Sequence, residues 1–301
     1  MSKQKQNTAL VEGQEMYEGK QQSFAKEVFR RLRKNKSAMI AMWVIIFFLI
    51  VAILAGVIAP YSECIKQDAA NRLQGPSASH WFGTDEFGRD VFKRVVYGTR
   101  ISLFIGVIVS GIALIVGGVL GAIAAYYGGI LDEIIMRFMD MLTSLPSTLL
   151  AMCVVAALGP SMTNLLIALT ISYAPVFTRI VRSSVLTVVE MEYVEAAHAC
   201  GTSDARIIIK HILPNGIGPI IVQTTRTISG TILSAAGLSY LGLGVQSPTP
   251  EWGSMLTGAR EFMRSSPYLM IFPGIALVAT ALSFELLGDG LRDALDPRLK
   301  D

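Results

Sequence analysis

Apolar residues gather into long runs that carry almost no charge, separated by stretches dense in charged residues and turn formers. The first run, 38–59 (AMIAMWVIIFFLIVAILAGVIA), is uncharged and, at about 1.5 Å of rise per helical residue, reaches across a hydrocarbon core of roughly 30 Å. Further runs at 101–125, 141–158, 163–178, 217–241 and 268–287 bring the candidate membrane-spanning helices to six. Pro60 ends the first. Pro146, Pro175 and Pro273 fall inside later runs, where each removes a backbone hydrogen bond and predicts a kink satisfied by neighbouring helices or water. In the second run Ala113, Gly117, Gly121 and Ala125 recur at every fourth position, so they share a face on which another backbone can come close. The pattern predicts an all-α polytopic membrane protein built as a packed bundle.

Charge placement predicts the orientation. Arg30, Arg31, Arg33, Lys34 and Lys36 crowd against the first run, which puts the N-terminus in the cytoplasm. An even number of spans returns the C-terminus to the same side and leaves 185–216 there as well. Segment 60–100 opposes this with Lys66, Arg72, Arg89, Lys93, Arg94 and Arg100, whereas the loop after span two offers only Arg137. Glu63, Asp68, Asp85, Glu86 and Asp90 offset those cations, and the first helix usually dominates orientation. The organisation expected is a cytoplasmic tail over 1–37, the first span with an extracytoplasmic loop over 38–97, a core over 98–290 and a cytoplasmic tail over 291–301. The first run starts too far in, and is too long, to be a cleaved signal peptide, so it should stay in the mature protein.

Composition agrees and excludes alternatives. Of 301 residues, 52% are hydrophobic and 16% charged, against about 25% charged in soluble domains. With a mean hydropathy of +0.50, this rules out a soluble enzyme and a disordered chain. A net charge of +3 is too small to suggest nucleic acid. Cys64, Cys153 and Cys200 have no disulfide or zinc spacing and are read as structural; His80, His198 and His211 form neither a metalloprotease motif nor a triad, so neither a metal site nor catalytic residues are expected. Gly13 to Gln21 approximates a phosphate loop, but it has one residue too many between its glycines and lacks the Ser/Thr that would hold magnesium. Any ATP and Mg would be bound by another chain.

Segment 192–215, EYVEAAHACGTSDARIIIKHILPN, is too patterned for a bland connector. Residues 192–200 favour a helix, Gly201 suits a left-handed stop, and Thr202, Ser203 and Asp204 signal a cap for a second helix that Pro214 ends. Ala196 and Ala197 keep the first helix thin beside the carboxylate of Glu195, as a helix seated in a partner's groove requires. The other reading is an amphipathic hairpin that touches only lipid headgroups. In span five Gln223, Thr227, Thr231 and Ser234 share a face, with Arg226, Gly230 and Gly237 beside it; a polar stripe there faces protein or water, and this one is expected to line the translocation path. Arg226 falls near mid-depth, where a charge costs roughly 2.5–3.5 kcal/mol. It either lines a cargo path, pairs with a partner's carboxylate, or is held by a backbone carbonyl. Asp140 and Glu285 are read as boundary anchors, and Arg179 and Arg182 as snorkelling toward headgroups.

The run Glu195-Ala196-Ala197, three residues, Gly201, then Leu213-Pro214 resembles the EAA loop of ABC importer permeases. His211 departs from the Ile of the general motif, while KHILPN is similar to the peptide-importer branch. Residues 82–103 (FGTDEFGRDVFKRVVYGTRISL) and 237–256 (GLSYLGLGVQSPTPEWGSML) resemble the C-type permease subunit of dipeptide and oligopeptide ABC importers, a group that includes nickel and glutathione carriers. The resemblance covers about residues 25–300. It implies a type I ABC importer permease fold in the plasma (inner) membrane and a non-catalytic subunit paired with a B-type permease. Two cytoplasmic ATPases holding ATP and Mg, and an extracytoplasmic binding protein, are the other implied partners. Glu195, Ala196, Ala197, Gly201, Leu213 and Pro214 would couple ATP hydrolysis to the membrane helices, and the cargo would be peptide, with nickel or glutathione as alternatives. Phe82, Gly83, Thr84, Asp85, Gly88, Arg89 and Asp90 would shape the outer mouth near the binding protein; the other reading is a self-contained salt-bridged loop. The competing class, an ion-coupled carrier, calls for mid-membrane carboxylates and inverted repeats, which the sequence does not show.

Overall fold

A computed structural model describes residues 24–295, and among them no strand forms. The expectations for Gly13 to Gln21, the distal N-terminal tail and the last residues of the C-terminal tail lie outside the described residues. A short helix α1, Phe24–Leu32, leads into α2, Lys36–Ile58, the first span. The Asn35 side chain caps it by accepting from the Ala38 amide at 3.2 Å. After α3, Tyr61–Ile65, a compact turn region reaches α4, Val91–Tyr127. At 37 residues, or about 55 Å, α4 begins ten residues before the apolar run at 101. Asp90 starts it by accepting from the Lys93 amide at 3.0 Å, and Val91, Val95 and Val96 give its charged first turns a buried face.

Span three differs from expectation. Residues 129–158 form two helices, α5, Gly129–Thr143, and α6, Ser147–Leu158, bent by 84°. Pro146 sits at the N-cap of α6 rather than inside a helix, and a proline disfavours helical geometry in the residue before it, so the apolar run 141–158 breaks where it was expected to cross. Span four is longer than the run 163–178: α7, Met162–Val189, continues past Pro175 and carries Arg179 and Arg182 within it. Next come α8, Glu192–Ala199, and α9, Asp204–Ile207, which extends through a wide π-type turn at Ile208–Ile212. A bend of 78° separates this from α10, Ile217–Tyr240. A loop helix α11, Trp252–Ala259, precedes α12, Tyr268–Leu295, which runs beyond the boundary expected near 290. Among the described residues, four helices are long and apolar enough to cross a membrane, or up to six if each bent pair is one span.

Helix α10 is central, packed on α4, α7, α11 and α12. The small residues of α4 meet α7 with backbones nearly touching: a Cβ added at Gly117 would lie 2.4 Å from the Ala174 carbonyl oxygen, and one at Gly121 2.4 Å from that of Thr178. Trp252 is fully buried, donates through Nε1 to the Val95 carbonyl at 3.1 Å and meets Phe48 edge-on. The bundle thus has a hairpin end, carrying α8 and α9, and a loop end, carrying α3, the turn region and α11.

Candidate functional site

The hairpin is anchored on one side and open on the other. Val194, Ile207 and Ile212 are buried against Val181 and Val185 of α7, Ala122 and Ala125 of α4 and Ile220 of α10. A polar clamp adds to this. The Tyr126 hydroxyl donates to Asp204 Oδ1 at 2.9 Å, so its oxygen is left to accept from His198 Nε2, also at 2.9 Å. Tyr127 donates to Asp204 Oδ2 at 3.2 Å. Gly201 takes the left-handed conformation expected of it, at φ 73°. Facing away from the bundle, Glu192, Tyr193, Glu195, Ala196 and Ala199 are exposed, Ala197 and Leu213 half-buried and Pro214 exposed. The clamp that joins Tyr126, Tyr127, His198 and Asp204 escaped the reading of the sequence; the paired tyrosines closing the second apolar run are the signal that points to it.

The polar stripe of span five is mostly a packing face. Thr227 and Thr231 are 2% and 0% exposed, so in this conformation they line no path, contrary to expectation. A helix surrounded by four neighbours turns small hydroxyl residues inward, where bulky ones would hold the backbones apart. Gln223 donates to Thr227 Oγ1 at 3.2 Å, and Ser234 bonds to Tyr173 of α7 at 3.0 Å; Gln223, Arg226 and Ser234 are only partly covered.

Arg226 is also corrected. It pairs within this chain, donating to Asp289 Oδ1 at 2.5 Å and lying 3.6 Å from Glu285 Oε1, both on α12. Asp289 comes after the last apolar run, and Gly218 at the start of α10 adjoins Leu295, which sets Arg226 toward the hairpin end rather than at mid-depth. Glu285 is accordingly a partner of Arg226 as well as a boundary residue. The expected snorkelling arginines pair with carboxylates too: Arg182 binds Asp132 bidentately at 2.6 Å, and Arg179 meets Asp140 at 2.8 Å, tying α7 to α5.

At the loop end, the turn carrying Phe82 to Asp90 is rigid and its central ion pairs are buried rather than exposed. Asp85 accepts from the Phe87 and Arg89 amides at 2.9 Å each and from Arg89 Nε at 2.6 Å. Arg94 approaches it at 3.5 Å and donates to the Cys64 and Pro248 carbonyls at 3.2 Å. A carboxylate with this many donors tolerates burial that an unpaired one would not. Gly88, at φ 73°, lies so close to Asp68 that a Cβ would be 1.8 Å from its carbonyl oxygen, and Gly83, at φ 77°, packs on Gln74 and Tyr268. Phe82 stacks on Phe272 at 3.8 Å, the Thr84 hydroxyl donates to the Asn71 carbonyl, and Asp90 bonds to His80 at 2.9 Å. Burial pushes the Cys64 thiol up to about 11, while Cys153 and Cys200 are exposed. A cavity of about 270 Å³ opens between this turn and α11, walled by Asp85, Arg89, Arg94, Ser239 and Ser254.

Next to it Glu251, 1% exposed, caps α11 by accepting from the Gly253 and Ser254 amides at 2.8 Å each. Burial holds its carboxyl above the usual range, opposed by those two amides. No three His, Cys, Asp or Glu side chains are grouped to hold a metal among the described residues.

Comparison with known proteins agrees with this architecture. Residues 117–301 match the family of binding-protein-dependent transport system inner membrane components, and 23–76 match the N-terminal TM domain of oligopeptide transport permease C. The dipeptide transport system permease protein DppC of Alkalihalophilus pseudofirmus is 49% identical over 91% of this chain and 90% of its own. The glutathione transport system permease protein GsiD of Shigella flexneri is 48% identical over the same shares. A structure of the MetNI methionine ABC transporter in an inward-facing conformation superposes with a TM-score of 0.56 at 17% identity, covering 68% of this chain and 98% of that one, which establishes the shared fold. The ion-coupled carrier is thereby set aside: the chain belongs to the binding-protein-dependent transport system inner membrane components and is a multi-pass permease subunit of an ABC transporter, a transport component rather than an enzyme.

Proposed function

We propose that this permease forms half of a translocation path for short peptides, paired with a B-type permease, and that it takes its power stroke from ATPase subunits docked on α8. The observation that carries the reading is the two-faced hairpin: Glu192, Tyr193, Glu195, Ala196 and Ala199 are exposed, while Val194, Ile207, Ile212 and the tyrosine clamp join the same element to α4, α7 and α10. A partner that grips the exposed face therefore displaces three membrane helices together. Nucleotide, with its Mg, stays on the partner and biases a two-state bundle through its differential affinity for the two arrangements.

In this reading the hairpin end and both termini are cytoplasmic, and the turn from Phe82 to Asp90 presents a rigid outer surface to a binding protein carrying the cargo. Gln223, Arg226 and Ser234 border the path. The relatives named for dipeptide and glutathione share a peptide-like backbone as cargo, which favours that class over a nickel chelate. The test is co-purification from native membrane in mild detergent. Wild type retains an ATPase, and Glu195→Arg, which reverses an exposed charge without touching the core, loses it. Equal recovery of ATPase with both proteins removes α8 as the dock.

A further inference from the structure

Helix α1 has no part in the transport reading, yet its placement is specific. Leu32 is 5% exposed and Val28 half-buried, and both pack against Leu287, Leu291 and Ala294 at the end of α12. The joint between α1 and α2 presses on the same place: a Cβ at Gly290 would lie 2.3 Å from Ala38 Cβ. The helix is therefore fixed at the base of two spans, where hydrocarbon gives way to headgroups. Phe29, next to Val28, stays 49% exposed, and α2 continues with an exposed apolar line through Ile40, Trp43 and Phe47.

The rest of the α1 surface is cationic. Lys26, Arg30, Arg33, Lys34 and Lys36 are all exposed, and none forms an ion pair among the described residues. Glu27 is the one acid between residues 26 and 37, and Arg31 occupies it at 2.6 Å. Deeper at this end of the bundle Arg182 is matched by Asp132 and Arg226 by Asp289. Five cations on one short stretch, held beside an exposed aromatic, have no counter-charge among the described residues.

We propose that α1 and its joint to α2 form a docking surface for anionic phospholipid: Lys26, Arg30, Arg33, Lys34 and Lys36 gather phosphate headgroups in the leaflet at the hairpin end, with Phe29 at the acyl boundary. The attraction acts over about a Debye length, roughly 10 Å at 0.1 M salt, so it requires cations fixed at headgroup level, as these are. It does not depend on α8 docking an ATPase.

Trp43 is a built-in reporter, since it is 63% exposed on the lipid face of α2 within two turns of Lys36. Trp252 is buried, and Trp81→Phe removes the other exposed tryptophan. The full chain carrying Trp81→Phe is reconstituted into phosphatidylcholine vesicles containing equal mole fractions of either brominated phosphatidylglycerol or brominated phosphatidylcholine. One engaged cation enriches an anionic lipid locally by about fivefold, so the phosphatidylglycerol form is expected to quench Trp43 at least about twofold more strongly. The difference disappears in the combined Lys26→Gln, Arg30→Gln, Arg33→Gln, Lys34→Gln, Lys36→Gln variant, and in wild type at about 1 M salt, where the screening length is roughly 3 Å. Equal quenching by the two lipids overturns the proposal, and so does a preference that survives in the five-fold variant. An acidic protein surface as the true occupant gives the first of those results.

Discussion

Replacing Gly121 with alanine puts a methyl group where α4 and α7 have no room. The added Cβ would lie 2.4 Å from the Thr178 carbonyl oxygen and 3.0 Å from the Arg182 amide, and ordinary contact begins near 3.4 Å, so the two helices must part by about 1 Å. A gap of that size forfeits a quarter to a half of each affected dispersion contact along the seam, and such overpacking costs about 1–3 kcal/mol. Alanine returns roughly 0.5–1 kcal/mol of backbone entropy, which leaves a net loss of about 1–2 kcal/mol. Gly117→Ala meets the same obstacle one turn earlier, 2.4 Å from the Ala174 carbonyl oxygen. One separation of the helices relieves both clashes, so the double variant should cost clearly less than the two singles added together. Gly111, which has nothing within 4 Å, is the control: Gly111→Ala should be neutral or stabilising by up to about 1 kcal/mol. Denaturant unfolding in mixed micelles, followed by circular dichroism, gives the free energies. Equal stability of Gly121→Ala and Gly111→Ala, or strict additivity of the Gly117 and Gly121 variants, refutes the reasoning.

Glu251→Ala leaves the Gly253 and Ser254 amides unpaired in a buried site, at about 1–3 kcal/mol for each, while Glu251→Gln keeps an acceptor and loses less; unfolding of the two variants separates them. Because burial raises the folded carboxyl above its unfolded value near 4.5, the folded state holds more protons, so wild-type stability should fall as pH rises from that value through the folded one. Glu251→Gln should flatten that slope in pH-dependent thermal unfolding. Tyr126→Phe removes a partly exposed hydroxyl–carboxylate bond worth about 1 kcal/mol, or roughly a fivefold shift away from the pinned hairpin. The expected result is faster amide exchange over 192–213 and less uptake for each ATP hydrolysed, with the ATPase still bound.

The apolar runs were enough to find the four long helices because a bilayer demands continuous hydrophobic length, and the every-fourth-residue pattern of α4 marked its partner face in advance. What they concealed has physical causes. A run of apolar residues reads alike whether the helix continues or bends, so Pro146 looked like an in-span kink when it opens a new helix. Charges near helix ends look like anchors until the neighbouring helix is known: Arg226 finds Asp289 sixty-three residues away, and Arg182 finds Asp132 fifty residues away. The same blindness made Thr227 and Thr231 look like a path lining, since a polar stripe does not say which neighbour it faces. The hairpin was legible because its stop at Gly201 and its second start at Ser203 are local, although the Ser203 side chain makes no cap bond, whereas the tyrosine clamp joins positions separated by seventy-eight residues.

The most direct test of the account is ATP-driven uptake. The permease pair, reconstituted into vesicles with its ATPases and supplied with binding protein carrying a labelled short peptide, should accumulate peptide only when ATP is present. Glu195→Arg should abolish that accumulation while leaving the fold intact by circular dichroism. Uptake by Glu195→Arg at the wild-type rate, with the ATPase still bound, would contradict the claim that α8 drives the bundle.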